Sequence, residues 1–544
     1  MIMASSQQHL GSRSSTLLNI LRQFLVIVAI VLPPVTCWAV TPKNVVVMAK
    51  SLDDLITLDP AEVFEFSGTE IIANLYDRLF VANPTNPAQP TPGLVESWSI
   101  SEDGRSYYFL LKKGPTFQDG RPVSATDAVF SIRRAVILNK TPAFILSQLG
   151  LAPENIEEKV RAIDARQFLL EVDRDYAPSL VLNVLSSAIT SVVDRQAVLA
   201  NARDGDLGHR WLRSHSAGSG PFRLRRWNVG EYVMLDVNRD YPGVSPNLER
   251  FVIRDIREPA TQRLMLTRGD VDIVRDVAPD QIRALAGEPG IITWSAPQAR
   301  IFYIALNQQN PILGATQVRQ AIRYAIDYKN IVRHLLPGRA EIHQAFLPKG
   351  FLGALEEAPF VLDLVRARHL LMEAGYQQGF PLVVDVRSDP LALQIAQAIQ
   401  TSFAKVGIVL DIRPGDSKQV LTKYRARRHD LYMGYWGSDY LDPHSNAAAF
   451  ARNPDNADDA ADKTLAWRNG WEIPGLTQRT DEAMLIRDSS RRAVAYGELQ
   501  RSLQIDSPFI ILFQEKALIA ARESVIGFEV GLTSDQIRYE RVSK

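Results

Sequence analysis

The chain has 544 residues, its 61 Lys and Arg are balanced by 61 Asp and Glu, and it carries a single cysteine. Balanced charge supplies no basic field for nucleic acid, and one cysteine permits no disulfide framework. The length exceeds one compact core, so two or three domains are expected.

The first acidic residue is Asp53. Ahead of it lie Arg13 and Arg22, then the apolar run 24–32, the break Pro33-Pro34 and the small residue Ala39. This is the layout of a secretory signal over 1–39. The run is shorter than the roughly 20 residues of a membrane span. Cys37 follows Pro34-Val35-Thr36, a poor lipobox, so cleavage after Ala39 without lipid anchoring is expected. Export of a chain left without cysteine suits the bacterial periplasm.

Further along, 44–49 reads as a buried first strand. Helical spacing of Ile71, Ile72, Leu75 and Leu79 predicts a helix over 69–80. A strand is expected at 107–111 between the Asp103-Gly104 and Gly114-Pro115 turns. A helix at 125–136 and a strand at 168–172 follow. Strands are expected at 232–238 and 250–255, a helix at 260–267 stopped by Gly269, and strands at 272–274 and 301–307. Helices at 317–327 and 364–374 lead to a strand–helix–strand unit at 382–386, 391–406 and 408–412. Strands and helices alternate, so the class is α/β. The polar stretch 453–462 reads as a surface loop or a weak helix.

The segment Trp436-Gly437-Ser438-Asp439-Tyr440-Leu441-Asp442-Pro443 stands out. A carboxylate among aromatic rings is poorly solvated and needs a cation or several donors to stay ionised. Ring faces attract the same cation. The segment reads equally as the seat of a ligand ammonium and as a strand end followed by an Asp-Pro turn.

Several phrases then resemble the peptide-binding family of ABC-transporter solute-binding proteins. They are Pro92-Gly93-Leu94-Val95-Glu96-Ser97-Trp98, Asp103-Gly104-Arg105-Ser106-Tyr107, Phe117-Gln118-Asp119-Gly120 and Gly218-Ser219-Gly220-Pro221-Phe222. Arg268-Gly269-Asp270-Val271-Asp272, Val318-Arg319-Gln320-Ala321 and Glu373-Ala374-Gly375-Tyr376 continue the set in order. The resemblance implies a two-lobed periplasmic-binding-protein fold of class II with an extra subdomain in the first lobe. The first lobe would comprise 40–81, 216–297 and a return over 508–544, with the extra subdomain at 82–215. The second lobe would cover 298–507. Hinge crossings are expected near 297–303 and 507–512, with ligand biasing closure by touching both lobes.

The resemblance further implies that Asp439 pairs with the ligand's ammonium, that Trp436, Gly437 and Ser438 line the pocket and that Tyr440 packs nearby. Asp442 is then a turn residue before Pro443. Arg387, the one arginine in 385–390, is the candidate for a ligand carboxylate. Phe66 and Glu65, ahead of a helix whose N-cap is expected at Ser67 or Thr69, are candidates for contacts from the first lobe.

No enzyme is expected. Ala217-Gly218-Ser219-Gly220 lacks the first glycine of a nucleophile elbow, and no triad or metal motif is present. His429, Asp439, Asp442 and His444 lie close in sequence, but their spacing matches no compact metal motif, and His429 after Arg427-Arg428 is expected at the surface. No metal or cofactor is implied. The expected role is a monomeric receptor delivering a di- or oligopeptide to an ABC permease in the inner membrane. A non-peptide solute such as an opine, a sugar or a metal chelate is the alternative, because fold does not fix ligand.

Overall fold

The computed structural model describes residues 41–544, apart from 84, 87, 88, 245 and 276. The expected signal at 1–39 and Cys37 lie outside these residues. Among the described residues no helix is long and apolar enough to cross a membrane.

The strands, in chain order, begin with β1 (Val45–Lys50), β2 (Phe80–Val81), β3 (Thr91–Pro92), β4 (Val95–Ile100), β5 (Ser106–Leu111), β6 (Val160–Ala162) and β7 (Gln167–Glu171). They continue with β8 (Phe222–Asn228), β9 (Tyr232–Val237), β10 (Arg250–Asp255), β11 (Ile273–Arg275), β12 (Ile291–Leu306) and β13 (Ala340–Ile342). The last are β14 (Phe380–Arg387), β15 (Ile408–Gly415), β16 (Leu431–Gly437) and β17 (Phe509–Arg522). An 11-stranded sheet runs β15-β14-β16-β12-β17-β11-β1-β10-β9-β8, with β13 on β17. A separate sheet, β4-β5-β7-β6, has its own apolar core, which also takes in Tyr440 and Met484 from far along the chain.

Two long strands join the halves of the large sheet. β12 and β17 pair antiparallel from Ile291 opposite Arg522 to Ala305 opposite Phe509. At one end β17 pairs with β11; at the other β12 pairs with β16. The register shifts between Pro297 and Ile301, and proline, having no N–H to donate, belongs at such an interruption. On β17 the register shifts twice, between Lys516 and Gln514 and again between Phe513 and Ile511, the second at the end of the expected 507–512 stretch. Alternation had predicted only the last third of β12. Its first ten residues, mostly half-buried or exposed, show no apolar face for the pattern to reveal.

Helix starts follow the sequence closely. Ser124 and Asp127 form a reciprocal capping box, and Asp327, Asp363, Asp389, Asp416 and Asp488 each accept a backbone N–H at a helix start. The helix expected at 69–80 is shifted to Phe66–Leu75. Its N-cap is Glu65 without a side-chain cap, and the donor at Ser67 N–H is taken by Asp54 at 3.0 Å instead. The stretch 453–462 forms no helix.

Glu70, on that helix, is buried and anchors the half of the sheet built around β1. It receives Lys50 Nζ at 2.9 Å, Arg275 Nη1 at 2.7 Å and Tyr539 Oη at 2.6 Å. Burial opposes its ionisation, but Arg275 and Lys50 outweigh burial and hold its pKa down at about 2. A depressed carboxylate pKa stabilises the fold above the unfolded value of about 4.3, and the contribution disappears as pH falls through about 2. Glu70→Gln leaves two buried cations without their carboxylate, and a loss of about 3–5 kcal/mol is expected at pH 7. Denaturant titration should show that gap closing between pH 5 and pH 2; a variant as stable as the parent at pH 7 contradicts the account.

Candidate functional site

β16 carries the aromatic run into the centre of the sheet and ends at Gly437. Trp436 packs edge-on against Phe450, with ring centroids 5.9 Å apart. Its Nε1–H donates to Asn446 Oδ1 at 3.2 Å, and Ser438 Oγ donates to the same oxygen at 2.8 Å. Asn446 is buried and donates in turn to the Phe346 carbonyl at 2.6 Å. Ser438 N–H bonds the Ala299 carbonyl at 3.0 Å, continuing the ladder past the end of β16. One buried amide therefore orders both side chains of the Trp-Gly-Ser phrase.

Asp442 and Asp439 are three residues apart and have opposite surroundings. Asp442 caps the helix Pro443–Phe450, accepting His444 N–H at 2.9 Å. It also meets Arg492 in a bidentate pair, at 2.7 and 2.8 Å, with both side chains buried. The expected turn role holds and is incomplete: Asp442 is half of a buried ion pair.

Asp439 N–H donates to Ser445 Oγ at 3.0 Å. Its carboxylate has no cation and no donor among the described residues, and the residue is half-buried. Desolvation alone raises its pKa to about 7. Such a group is a functional-site candidate on physical grounds.

Asp439 lies on the wall of a cavity of about 390 Å³. Trp436, Gly437, Ser438 and Tyr435 line it on the β16 side, and Phe64, Phe66, Ile145 and Ser534 line it on the other. Phe66 is exposed at the start of its helix and faces Gly437. A Cβ at residue 437 would stand 2.8 Å from the Phe66 ring, so glycine is required for that approach.

Of the remaining candidates, Tyr440 is buried and donates its hydroxyl to Gln148 Oε1 at 2.8 Å, crossing to the core of the small sheet. With Asp439 it lines a second cavity of about 380 Å³. Glu65 adjoins the first cavity without lining it, and its carboxylate turns back to Phe64 N–H at 3.3 Å. Arg387 is not part of the site. It is exposed at the end of β14, 4.0 Å from Asp389, and lines neither cavity. Strand alternation turns it outward beyond the buried run Val384–Val386.

Arg300 of β12 stands closer, opposite Gly437 in the β12–β16 register. Its guanidinium lies 4.5 Å from the Tyr435 ring centre and 5.3 Å from that of Phe66, and its Nε is 2.9 Å from Glu515.

His429 is buried rather than exposed. Its Nε2 is 3.0 Å from Asn469 Oδ1, and burial lowers its pKa to about 4. His444 is likewise held near 4 by burial, 3.2 Å from the Tyr496 hydroxyl. Among the described residues no group of three metal-ligating side chains is assembled.

Asn446, Gln148, Arg492 and Arg300 were not anticipated. A signal existed for Asn446: Asp442-Pro443 is a helix N-cap followed by proline at the first position, which sets the next turn on a helix. The others come from segments 52 or more residues away from Asp439 in sequence, and no local pattern points to them.

The family model for bacterial extracellular solute-binding proteins, family 5 middle, matches residues 89–458. The chain is 26% identical over 508 residues to the probable D,D-dipeptide-binding periplasmic protein DdpA of Escherichia coli (strain K12), covering 92% of this chain and 94% of that one. It is 25% identical over 516 residues to the glutathione-binding protein GsiB of Shigella dysenteriae serotype 1 (strain Sd197), covering 93% and 96%. Among solved structures it superposes on the ABC transporter-associated periplasmic binding protein DppA from Helicobacter pylori, in complex with the peptide STSA. That match has a TM-score of 0.77 and 23% identity, covering 92% of this chain and 98% of that one. The likeness establishes the α/β, two-lobed binding-protein fold.

The raised pKa of Asp439 has a stability consequence in the unliganded protein. Between about 3.9 and 7 the folded state holds a proton that the unfolded state has released, so the group's cost grows across that range and is complete above 7. Asp439→Asn should therefore raise the melting temperature by about 2–5 °C at pH 8 and by less at pH 5. Scanning calorimetry without ligand checks this; equal melting temperatures at pH 8 would contradict it.

Proposed function

The chain belongs to the bacterial extracellular solute-binding proteins of family 5, and from that premise we propose that its ligand is a short peptide whose free ammonium group pairs with Asp439. The observation that carries the reading is the Asp439 carboxylate, facing a cavity without a cation or donor among the described residues. Every other buried acid described above has its cation or its donors. A ligand ammonium supplies what Asp439 lacks, and the Trp436 ring and the ordered Ser438 complete the seat. The names of the relatives, a D,D-dipeptide-binding and a glutathione-binding protein, support a peptide-like solute.

The same reading gives the remaining candidates their roles. Trp436, Gly437 and Ser438 bound the ligand from the β16 side, and Phe66 closes over it. Tyr440 acts through Gln148 as a clasp between the lobes, and Glu65 serves the backbone ahead of the Phe66 helix. The lobes are taken as 40–81, 216–297 and 508–544 against 298–507, with 82–215 as the extra subdomain. Closure then bends β12 near Pro297–Ile301 and β17 near Gln514–Lys516, where their register shifts. The closed monomer in the periplasm presents its cargo to the permease of an ABC importer. The family, one of solute-binding proteins, supports a binding role.

Isothermal titration with L,L- and D,D-alanyl-alanine and their N-acetyl forms tests the reading. N-acetylation, or Asp439→Asn, should weaken binding at least tenfold, the direction expected when one side of a desolvated charge pair is removed. Affinity for the free amine should peak near pH 7–8. Below about 7 Asp439 takes up a proton, and above about 8 the ligand's α-amine loses one. Equal affinity for free and acetylated peptides would overturn the assignment.

A further inference from the structure

The two cavities that share Asp439 are part of a longer passage. The second, of about 380 Å³, shares Arg174 and Asp481 with an open groove of about 710 Å³ that leads to the surface. Shared walls set the three spaces side by side: the Phe66 chamber, the Tyr440 chamber across Asp439, and the groove beside Glu472 and Glu482. Carboxylates outnumber cations in all three. Arg174 and Arg452 are the only cations among the described lining residues, and no lysine lines the passage. The whole chain, by contrast, is balanced.

The two arginines do not neutralise the passage. Arg452 is committed to Asp481 at 2.7 Å and to Asp462. Arg174 is half exposed and only 3.9 Å from Asp173. Asp439 has no counter-charge. Glu482 receives only the Gln478 amide, at 2.8 Å. Glu472 lies exposed at the groove and is in no described ion pair. A cleft lined by one sign of charge between low-dielectric walls focuses its field on the ligand path. It attracts cations and repels anions, and repulsion is a source of selectivity as real as attraction.

We propose that the receptor selects cationic peptides: the ligand's ammonium sits at Asp439, and a second positive charge, from a lysine or arginine side chain, lies along the acidic passage toward Glu472 and Glu482. This rests on the peptide reading above and adds a charge preference to it. Lys-Ala and Ala-Lys should bind at least tenfold more tightly than Ala-Ala, and Glu-Ala more weakly than Ala-Ala. The preference should shrink between 20 and 300 mM salt, because exposed charges are screened.

The test is titration calorimetry with these four peptides and N-acetyl-Ala-Ala, on the parent protein and on the double variant Glu472→Gln, Glu482→Gln. Both positions are exposed, so the variant keeps the core and the Asp439 seat. The expected result is a lysine preference in the parent that falls at least threefold in the variant, with Ala-Ala affinity unchanged. Glu-Ala binding as tightly as Lys-Ala, or a lysine preference indifferent to the variant, overturns the proposal. If charge preference is absent while N-acetylation abolishes binding, only the cationic selectivity fails. If acetylated and free peptides bind alike, or none of them binds, the Asp439 seat fails with it.

Discussion

The bidentate pair between Asp442 and Arg492 is the interaction on which the site depends. Two buried charges are costly to desolvate, and the cost is met only when geometry is good and the remaining valences are filled. Here both conditions hold. Asp442 also caps the helix Pro443–Phe450, and Arg492 also reaches Ser179 Oγ at 3.1 Å in the first third of the chain. The pair clamps Pro443–Phe450 to the helix Ser489–Ile505 and fixes the loop that leaves β16. The loop is fixed at Asp442 and at Asn446, and the Asp439 N–H is held by Ser445 Oγ. One aspartate is satisfied completely so that its neighbour can be left unsatisfied.

That contrast separates structure from function at this site. Glu70 shows the structural solution again, with three donors and a depressed pKa. Asp439 has none, and its pKa rises for want of a partner. A half-buried carboxylate left in this state is costly to an empty protein, and a cation beside it would remove that cost. Asp439 stands where both sides of the cavity meet. Phe66 faces Gly437, Tyr440 reaches Gln148, and Arg487 meets Asp175 at 2.8 Å. Each of these contacts joins distant stretches of chain.

Continuity of the sheet makes closure possible without breaking backbone hydrogen bonds wholesale. β12 and β17 remain paired along nearly their whole length, with register shifts between Pro297 and Ile301 and between Phe302 and Tyr303. Arg300 lies within the first of these, stacked between Phe66 and Tyr435. A cation between two rings is attractive to both faces, and here it couples the strand crossing to the cavity walls.

Much of this was written in the local pattern of residues. The α/β class, the helix Ala125–Leu138 with its Ser124–Asp127 box, the Gly269 stop and the central position of Trp436–Asp439 follow from periodicity, capping chemistry and motif, all of which act over a few residues. The sequence by itself thus determined the class of fold and the starts of the helices at Ala125, Pro259, Thr316, Leu364 and Pro390 to within one residue. Only the tertiary structure decided that Asp439 is unpaired among the described residues while Asp442 is paired, that Arg387 stands apart from the cavities while Arg300 lies over the Phe66 and Tyr435 rings, and that His429 is buried. The reason is physical: a side chain's charge state and orientation depend on which distant segments pack against it, and Arg492, Gln148 and Phe66 reach the site from positions that no local spacing encodes.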